Sequence, residues 1–490
     1  MRRTVSFFAV VFAGAGALVF GACLPSLQFD SPTEGGIEAG ADVRSEVAPG
    51  PSDGGGDRTV GDSALDGGDA RLDGPPAEAS PTFGVLASAQ YWSFEAAATC
   101  VVRSGTLYCW GDVGTNATGQ LGFPDPNQGD EAGILHPTAV PTTVLPPAQI
   151  TQLVMSNSHT CALYGSTPYC WGNNGQGELG NPAAEAGGPT EVPVVGVPDA
   201  GLVSMASTLG TTCGVGPTLD AGSVSNVYCW GDNGSGELGR PIDGNFAFTA
   251  LPLTGDVDGG PLGVILDATF VAGGAYHFCA ITADGAILCW GSTDFLASGP
   301  VLGQDCSGNG NGQTCSAQPQ PVALPAGETP KELALGDHHS CALTVSGNVY
   351  CWGADDAAQL GTASVAGPCP WDGGTCTGVP VQVSLPPKVR QISAAGAETC
   401  ALDPQKHAYC WGFNGDGQLG VGNSGPYTSP QEVLDPVTAI PYTFDDLAVG
   451  RYSVCARQGQ TLYCWGSGVL GTQTDAGPPA NPATPNPVVF

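Results

Sequence analysis

Apolar residues are distributed along this chain in two ways. Val5 to Phe20 is one continuous apolar run behind Arg2 and Arg3. Beyond Thr82 the apolar and aromatic residues come in short runs separated by Gly-, Pro- and Asp-rich stretches, a pattern that predicts many short strands and turns rather than long helices. The short runs repeat. Cys-Trp-Gly begins at Cys109, Cys170, Cys229, Cys289, Cys351, Cys410 and Cys464, with successive spacings of 61, 59, 60, 62, 59 and 54 residues. Self-similarity at so steady a period marks an array of one structural unit. Each occurrence follows a second cysteine: Cys100, Cys161, Cys213, Cys279, Cys341, Cys400 and Cys455. Most are followed by a turn ending in Leu-Gly, such as Gly177-Glu-Leu-Gly180 and Gly417-Gln-Leu-Gly420, whereas repeats four and seven keep only Leu302-Gly303 and Leu470-Gly471.

The cysteine spacing predicts hairpins. Folding the chain about the midpoint of Cys100 and Cys109 places Ser104-Gly105 in the turn, and Cys161 with Cys170 centres on Gly165-Ser166. Cys455 with Cys464 centres on Gly459-Gln460, and Cys341 with Cys351 leaves the three-residue loop Val345-Ser346-Gly347. Gly-containing loops of this length are those of tight hairpins. The two cysteines of each repeat should therefore lie opposite one another on antiparallel strands, close enough to bridge. Cys213 with Cys229 has the longest loop. Two further pairs, Cys306 with Cys315 and Cys369 with Cys376, would staple insertions after repeats four and five. Seven repeat pairs, two loop pairs and Cys23 account for all 19 cysteines. Most of these pairs are nine or ten residues apart, which does not match the close Cys-x₂₋₄-Cys clusters of metal sites, and no metal or cofactor is expected.

Composition changes the picture at the N-terminus. The run Val5–Phe20 is short for a bilayer span and has the flanks of an export signal. It ends in Val19-Phe20-Gly21-Ala22-Cys23, which resembles a bacterial lipobox, with Phe20 where that pattern usually has Leu. The resemblance implies cleavage before Cys23 and acylation of its thiol, so residues 1–22 are expected to be a lipoprotein signal peptide. Nineteen cysteines suit an oxidising compartment. Residues 23–82, poor in aromatics and rich in Gly, Pro and Asp, should form a disordered tether. The expected location is a cell envelope, at the outer membrane or cell surface, with plain secretion as the alternative. Thirteen Lys and Arg against 45 Asp and Glu give a net charge of −32, which argues against nucleic acid as a partner.

The motifs Gly336-Asp-His-His-Ser-Cys-Ala-Leu343 and Tyr350-Cys-Trp-Gly353, with turns such as Asn414 to Gly420, resemble the regulator of chromosome condensation repeat family over residues 83–490. That resemblance implies an all-β, seven-bladed propeller of mostly four-stranded blades. Radial repetition also protects sheet edges. Pro-containing strands lie between repeats, as at Val192-Pro-Val-Val195, and the chain ends on Asn486-Pro-Val-Val-Phe490. The reading places Val488 to Phe490 in the first blade, closing the ring.

Candidate chemistry is sparse. His159, His277 and His339 stand two residues before the first cysteine of their repeats, where the others carry Ala98, Thr211, Glu398 and Ser453. They read either as an axial imidazole ring or, preferably, as hydrogen-bonding residues of the repeat. The repeated Trp reads as blade packing. Trp371, between Cys369 and Cys376, is a candidate interface anchor. No catalytic motif appears, and the expected function is a monomeric binding protein presenting a disulfide-stapled propeller to a protein or glycan partner, anchored to a membrane through Cys23. The alternatives are an inhibitor of an extracellular enzyme or a propeller enzyme.

Overall fold

The computed structural model describes residues 83–88, 98–111, 118–123, 134–141, 149–156, 158–184, 188–218, 225–240, 246–253, 255–257, 260–262, 267–292, 304–305, 314–363, 367–369, 374–425, 427–468, 470–472 and 483–490. The signal peptide, Cys23, the tether, Cys306 and Trp371 fall outside these residues. Among the described residues there is no helix, and the chain forms a seven-bladed propeller.

Each blade is an antiparallel sheet built from one contiguous stretch of chain. In the first, Phe83–Ser88, Ala98–Arg103, Thr106–Gly111 and Ile134–Ala139 lie in sequence order. The later blades begin with Ile150–Met155, Ser204–Ser207, Ala268–Gly273, Pro330–Leu335, Gln391–Ala395 and Asp446–Val449. These first strands neighbour one another in turn, and Asp446–Val449 returns to lie beside Phe83–Ser88. They form the inner wall and close the circle. Blades four and five gain a short fifth strand outside the fourth, Gln304–Asp305 and Gly367–Pro368.

The hairpins obey their turn chemistry. Arg103 pairs with Thr106, leaving Ser104 and Gly105 as a two-residue loop. Both take positive φ, 50° and 75°, the type I′ geometry whose twist matches the flanking strands. In six blades the pairing between third and outer strands slips between the Cys and the Gly of Cys-Trp-Gly. An irregularity there bends the strand and re-aims a side chain, in this case the Trp.

All seven of these Trp are 0% exposed. Their burial lies between blades: one cluster joins Leu107, Leu121 and Val140 of blade one to Trp171 of blade two and to Leu462 and Leu470 of blade seven. The Leu-Gly turns explain the fit. Gly471 takes φ +67°, and a Cβ there would stand 2.8 Å from the Trp110 indole nitrogen. Only glycine admits the next blade's indole so closely, and it also adopts that backbone without strain.

The C-terminus corrects the sequence reading. Asn486–Pro487 pairs with Thr461–Gly466, Tyr463 opposite Pro487 and Cys464 opposite Asn486. The last strand therefore completes blade seven, whose third strand has a free edge, rather than joining blade one, which supplies its own four strands. Side chains of this segment also reach blade one, Val488 within the cluster that holds Leu107 and Leu121. The Phe490 ring meets Tyr108 and Trp110 edge-on at 5.4 and 6.3 Å, and the Arg103 guanidinium lies 4.4 Å above it.

Candidate functional site

The structure sets the seven repeat cysteine pairs opposite one another in the central hairpin of each blade. Cys100 faces Cys109, Cys161 faces Cys170, Cys213 faces Cys229, and Cys279 faces Cys289. Cys341 faces Cys351, Cys400 faces Cys410, and Cys455 faces Cys464. Their sulfurs lie at bonding distance, as do those of Cys369 and Cys376. Cys315 lies in the outer strand of blade four, and its expected partner Cys306 lies outside the described residues.

The three histidines do not form an open axial ring. Each is 0% exposed and reaches across a seam to a hydroxyl of the next blade. His159 Nε2 shares a hydrogen bond with Thr212 Oγ1 at 2.7 Å, His277 Nε2 with Ser340 Oγ at 2.9 Å, and His339 Nε2 with Thr399 Oγ1 at 2.7 Å. Burial lowers the pKa of all three to about 3, so they are neutral bolts at physiological pH. The hydroxyl always stands immediately before the first cysteine of the following repeat, a signal present in the sequence.

The Trp side chains stitch the same seams. Trp171 donates to the Gln120 carbonyl at 2.9 Å, Trp230 to Glu178 at 3.1 Å and Trp290 to Glu237 at 2.8 Å. Trp411 donates to Gln359 at 3.0 Å and Trp465 to Gln418 at 2.9 Å. Each acceptor belongs to the Leu-Gly turn of the preceding blade. Thus five of the seven repeated indoles and all three histidines are occupied in assembly.

What remains for recognition is non-repeated, and part of it gathers where the inner strands end. The turns there hand hydrogen bonds from blade to blade: Leu209 N–H to Ala275, Ala275 N–H to Gly336 and Asp337 N–H to Gly396, each to a backbone carbonyl. Arg451 Nη2 of blade seven meets Asp337 Oδ2 of blade five at 2.5 Å. Gly396 holds the equivalent position of blade six between them, and a Cβ there would stand 3.0 Å from Arg451 Cγ. Its missing side chain clears the path for the ion pair.

Glu398 of blade six lies beneath, fully buried, where other blades have His. It faces no hydroxyl, because blade seven carries Val454 at the receiving position. Burial, then the Asp337 charge, pushes the Glu398 carboxyl well above its ordinary range. Burial also raises Asp337, opposed by the Arg451 guanidinium. Tyr276, His338 and Tyr452 stand partly exposed in these turns, and the Arg451 guanidinium lies 5.6 Å from the Tyr452 ring. Sequence reasoning did not find this cluster. No group of three or more His, Cys, Asp or Glu suited to a metal ion occurs among the described residues.

Comparison with known proteins agrees with this geometry. The regulator of chromosome condensation (RCC1) repeat matches residues 268–295, 331–359, 346–402 and 407–456. The ultraviolet-B receptor UVR8 of Arabidopsis thaliana is 26% identical over 379 residues, covering 75% of this chain and 74% of the receptor. The guanine nucleotide exchange factor SRM1 of Saccharomyces cerevisiae is 26% identical over 368 residues, 68% of this chain and 70% of that protein. Among solved structures, Prp20p of S. cerevisiae superposes with a TM-score of 0.59 at 20% identity, covering 74% of this chain and 80% of its own. Human WBSCR16 gives 0.57 at 20% identity over 75% and 84%. The four matched segments of this chain are thus similar to regulator of chromosome condensation repeats, within a chain that closes into a seven-bladed ring.

Proposed function

We propose that the chain is an exported binding protein, held to a cell envelope through lipidated Cys23 and the tether of residues 23–82, whose propeller engages a protein partner. The observation that carries a binding role is the division of labour among its residues. The repeated His, their partner hydroxyls and the buried Trp side chains pack into the seams between blades, so that recognition falls to non-repeated side chains on a rigid ring. A rigid scaffold lowers the ordering cost of association. Similar propellers engage proteins: one solved structure holds yeast RCC1 bound to Kap60. A protein is therefore favoured here over a glycan, and binding over catalysis.

The test has two arms. In cells making the full chain, Cys23→Ala should abolish incorporation of labelled fatty acid and release the protein from the membrane fraction. Crosslinking on intact cells should then recover a defined protein partner. Membrane retention without Cys23 would refute the anchor. Recovery of labelled sugar in place of a protein would refute the choice of partner.

A further inference from the structure

Between blades six and seven lies a cleft of about 350 Å³ that the seam packing does not fill. One wall is the outer strand of blade six, Tyr427–Glu432, which contributes Tyr427, Gln431 and Glu432. The other is the connecting loop, with Leu434, Asp435, Pro436 and Ala439. The lining mixes apolar and aromatic side chains with Gln431, Thr484 and two carboxylates and holds no Lys or Arg, and Glu432 Oε1 also lies 3.5 Å from His407 Nδ1.

The carboxylates are held in place before anything binds. Asp435 Oδ1 accepts hydrogen bonds from the Val437 N–H at 2.9 Å, the Thr438 N–H at 2.7 Å and the Thr438 hydroxyl at 2.9 Å. Those bonds hold its pKa below the usual carboxylate range, so it stays ionised. Glu432 Oε1 accepts from the Tyr409 hydroxyl at 3.1 Å. The loop that carries Asp435 is closed by the Leu434–Pro441 bridge and by the Asp435 N–H to Ile440 carbonyl bond at 2.9 Å. On that same loop stand the most exposed large apolar side chain of the described residues, Val437 at 90%, and Ile440 at 63%. A rigid loop that presents aliphatic side chains to water beside fixed carboxylates has the composition of an interface anchor.

We infer that this cleft binds a lysine or arginine side chain on an extended basic segment of a protein partner, with Asp435 and Glu432 receiving the cation and Val437 and Ile440 covering neighbouring aliphatic groups. Charge complementarity selects this occupant. The cleft lining holds two carboxylates and no Lys or Arg, and the net charge of −32 steers cations toward the molecule. The apolar floor accepts the methylene stem of such a side chain, whose charged end reaches a polar rim. The inference rests on the proposal that the propeller binds a protein, and is independent of export and of the anchor.

The full chain is titrated at physiological salt with a fluorescent Gly-Arg-Leu repeat peptide, and with the same peptide carrying Glu for Arg. Saturable binding of the basic peptide alone is expected. Asp435→Asn and Glu432→Gln should each weaken it about tenfold while preserving the hydrogen bonds those groups accept. Val437→Asp should raise the affinity of nothing but a more basic peptide. Asp199→Asn, an exposed carboxylate elsewhere, should leave binding unchanged. Equal weakening by Asp199→Asn would show diffuse attraction to an acidic surface and overturn the inference, as would absence of saturable binding. A crosslinked cellular partner insensitive to Asp435→Asn would remove the cleft and leave the binding role standing. Peptide binding at the cleft with no cellular protein partner would do the reverse.

Discussion

The ring closes where Gly471 of blade seven meets Trp110 of blade one, and Gly471→Ala probes that contact directly. Two costs are expected. At φ +67° an alanine pays for a left-handed backbone, roughly 1–2 kcal/mol, partly offset by its stiffer unfolded chain. Its Cβ would also stand 2.8 Å from Trp110 Nε1 and 3.0 Å from Cε2, and an indole packed on all sides has little room to retreat; overpacking of this kind costs about 1–3 kcal/mol. Gly459 separates the two. It sits in the hairpin of the same blade at φ +56° with nothing within 4 Å of a Cβ, so Gly459→Ala carries the backbone cost alone. The measurement is equilibrium denaturation with disulfides intact, comparing both variants with the natural chain. Gly471→Ala should be less stable than Gly459→Ala by about 1–3 kcal/mol at an unchanged m-value. Gly420→Ala, whose Cβ would stand 2.7 Å from Trp465 Nε1, should behave like Gly471→Ala. Equal losses at Gly471 and Gly459 would refute the claim that these glycines exist to admit the neighbouring indole.

Three further outcomes follow from the seams. His339 has its pKa lowered to about 3 by burial, so the folded chain keeps it neutral while the unfolded chain protonates it below about pH 6.5; stability is present above that pH and is lost on acidification, by up to ~1.4 kcal/mol per pH unit. His339→Gln should therefore be the less stable protein at pH 7 and lose that deficit by pH 5 in parallel denaturation curves; a constant gap would count against a neutral buried imidazole. Glu398→His combined with Val454→Thr installs in the seam between blades six and seven the pairing seen at His339 and Thr399, and should stabilise the protein at pH 7 by about 1–2 kcal/mol, more than the two single changes summed. Deleting the last five residues, Asn486–Phe490, removes the outer strand of blade seven and the Phe490 ring from Tyr108 and Trp110, and should cost roughly 3–5 kcal/mol; a truncated chain that unfolds with the full-length protein would show the tail to be dispensable.

Much of the blade was legible in the sequence because its determinants are local. Hairpin register follows from Gly positions midway between paired cysteines, and Ser104-Gly105 sits where that symmetry puts it. Contacts between blades were harder. His159 could be read as a repeat hydrogen-bonder, yet its partner Thr212 lies a whole repeat away, and only the fold shows that a seam joins one repeat's His to the next repeat's hydroxyl. The Asp337–Arg451 pair skips a blade altogether and depends on an absent side chain at Gly396, for which no periodic pattern exists. The last strand was misplaced because its Pro-Val pattern is the same whichever third strand it pairs with. The free edge decides, and that edge belongs to blade seven. The cleft at Asp435 escaped notice for a similar reason: its walls come from a strand and a connecting loop whose residues belong to no repeat.

Every blade is made from one unbroken stretch of chain, and this bears on the order of events during synthesis. Each described cysteine pair closes a loop of only 7 to 16 residues, so the right sulfurs meet long before distant wrong ones can diffuse together. Hairpins can therefore form and oxidise one by one as the chain emerges. The growing assembly is then an open arc, with the Trp110 face of blade one left uncovered until the final turn arrives carrying Gly471. That uncovered seam is the longest-lived apolar surface on the pathway, and the place where a chain cut short, or slow to finish, would join its neighbours instead of itself.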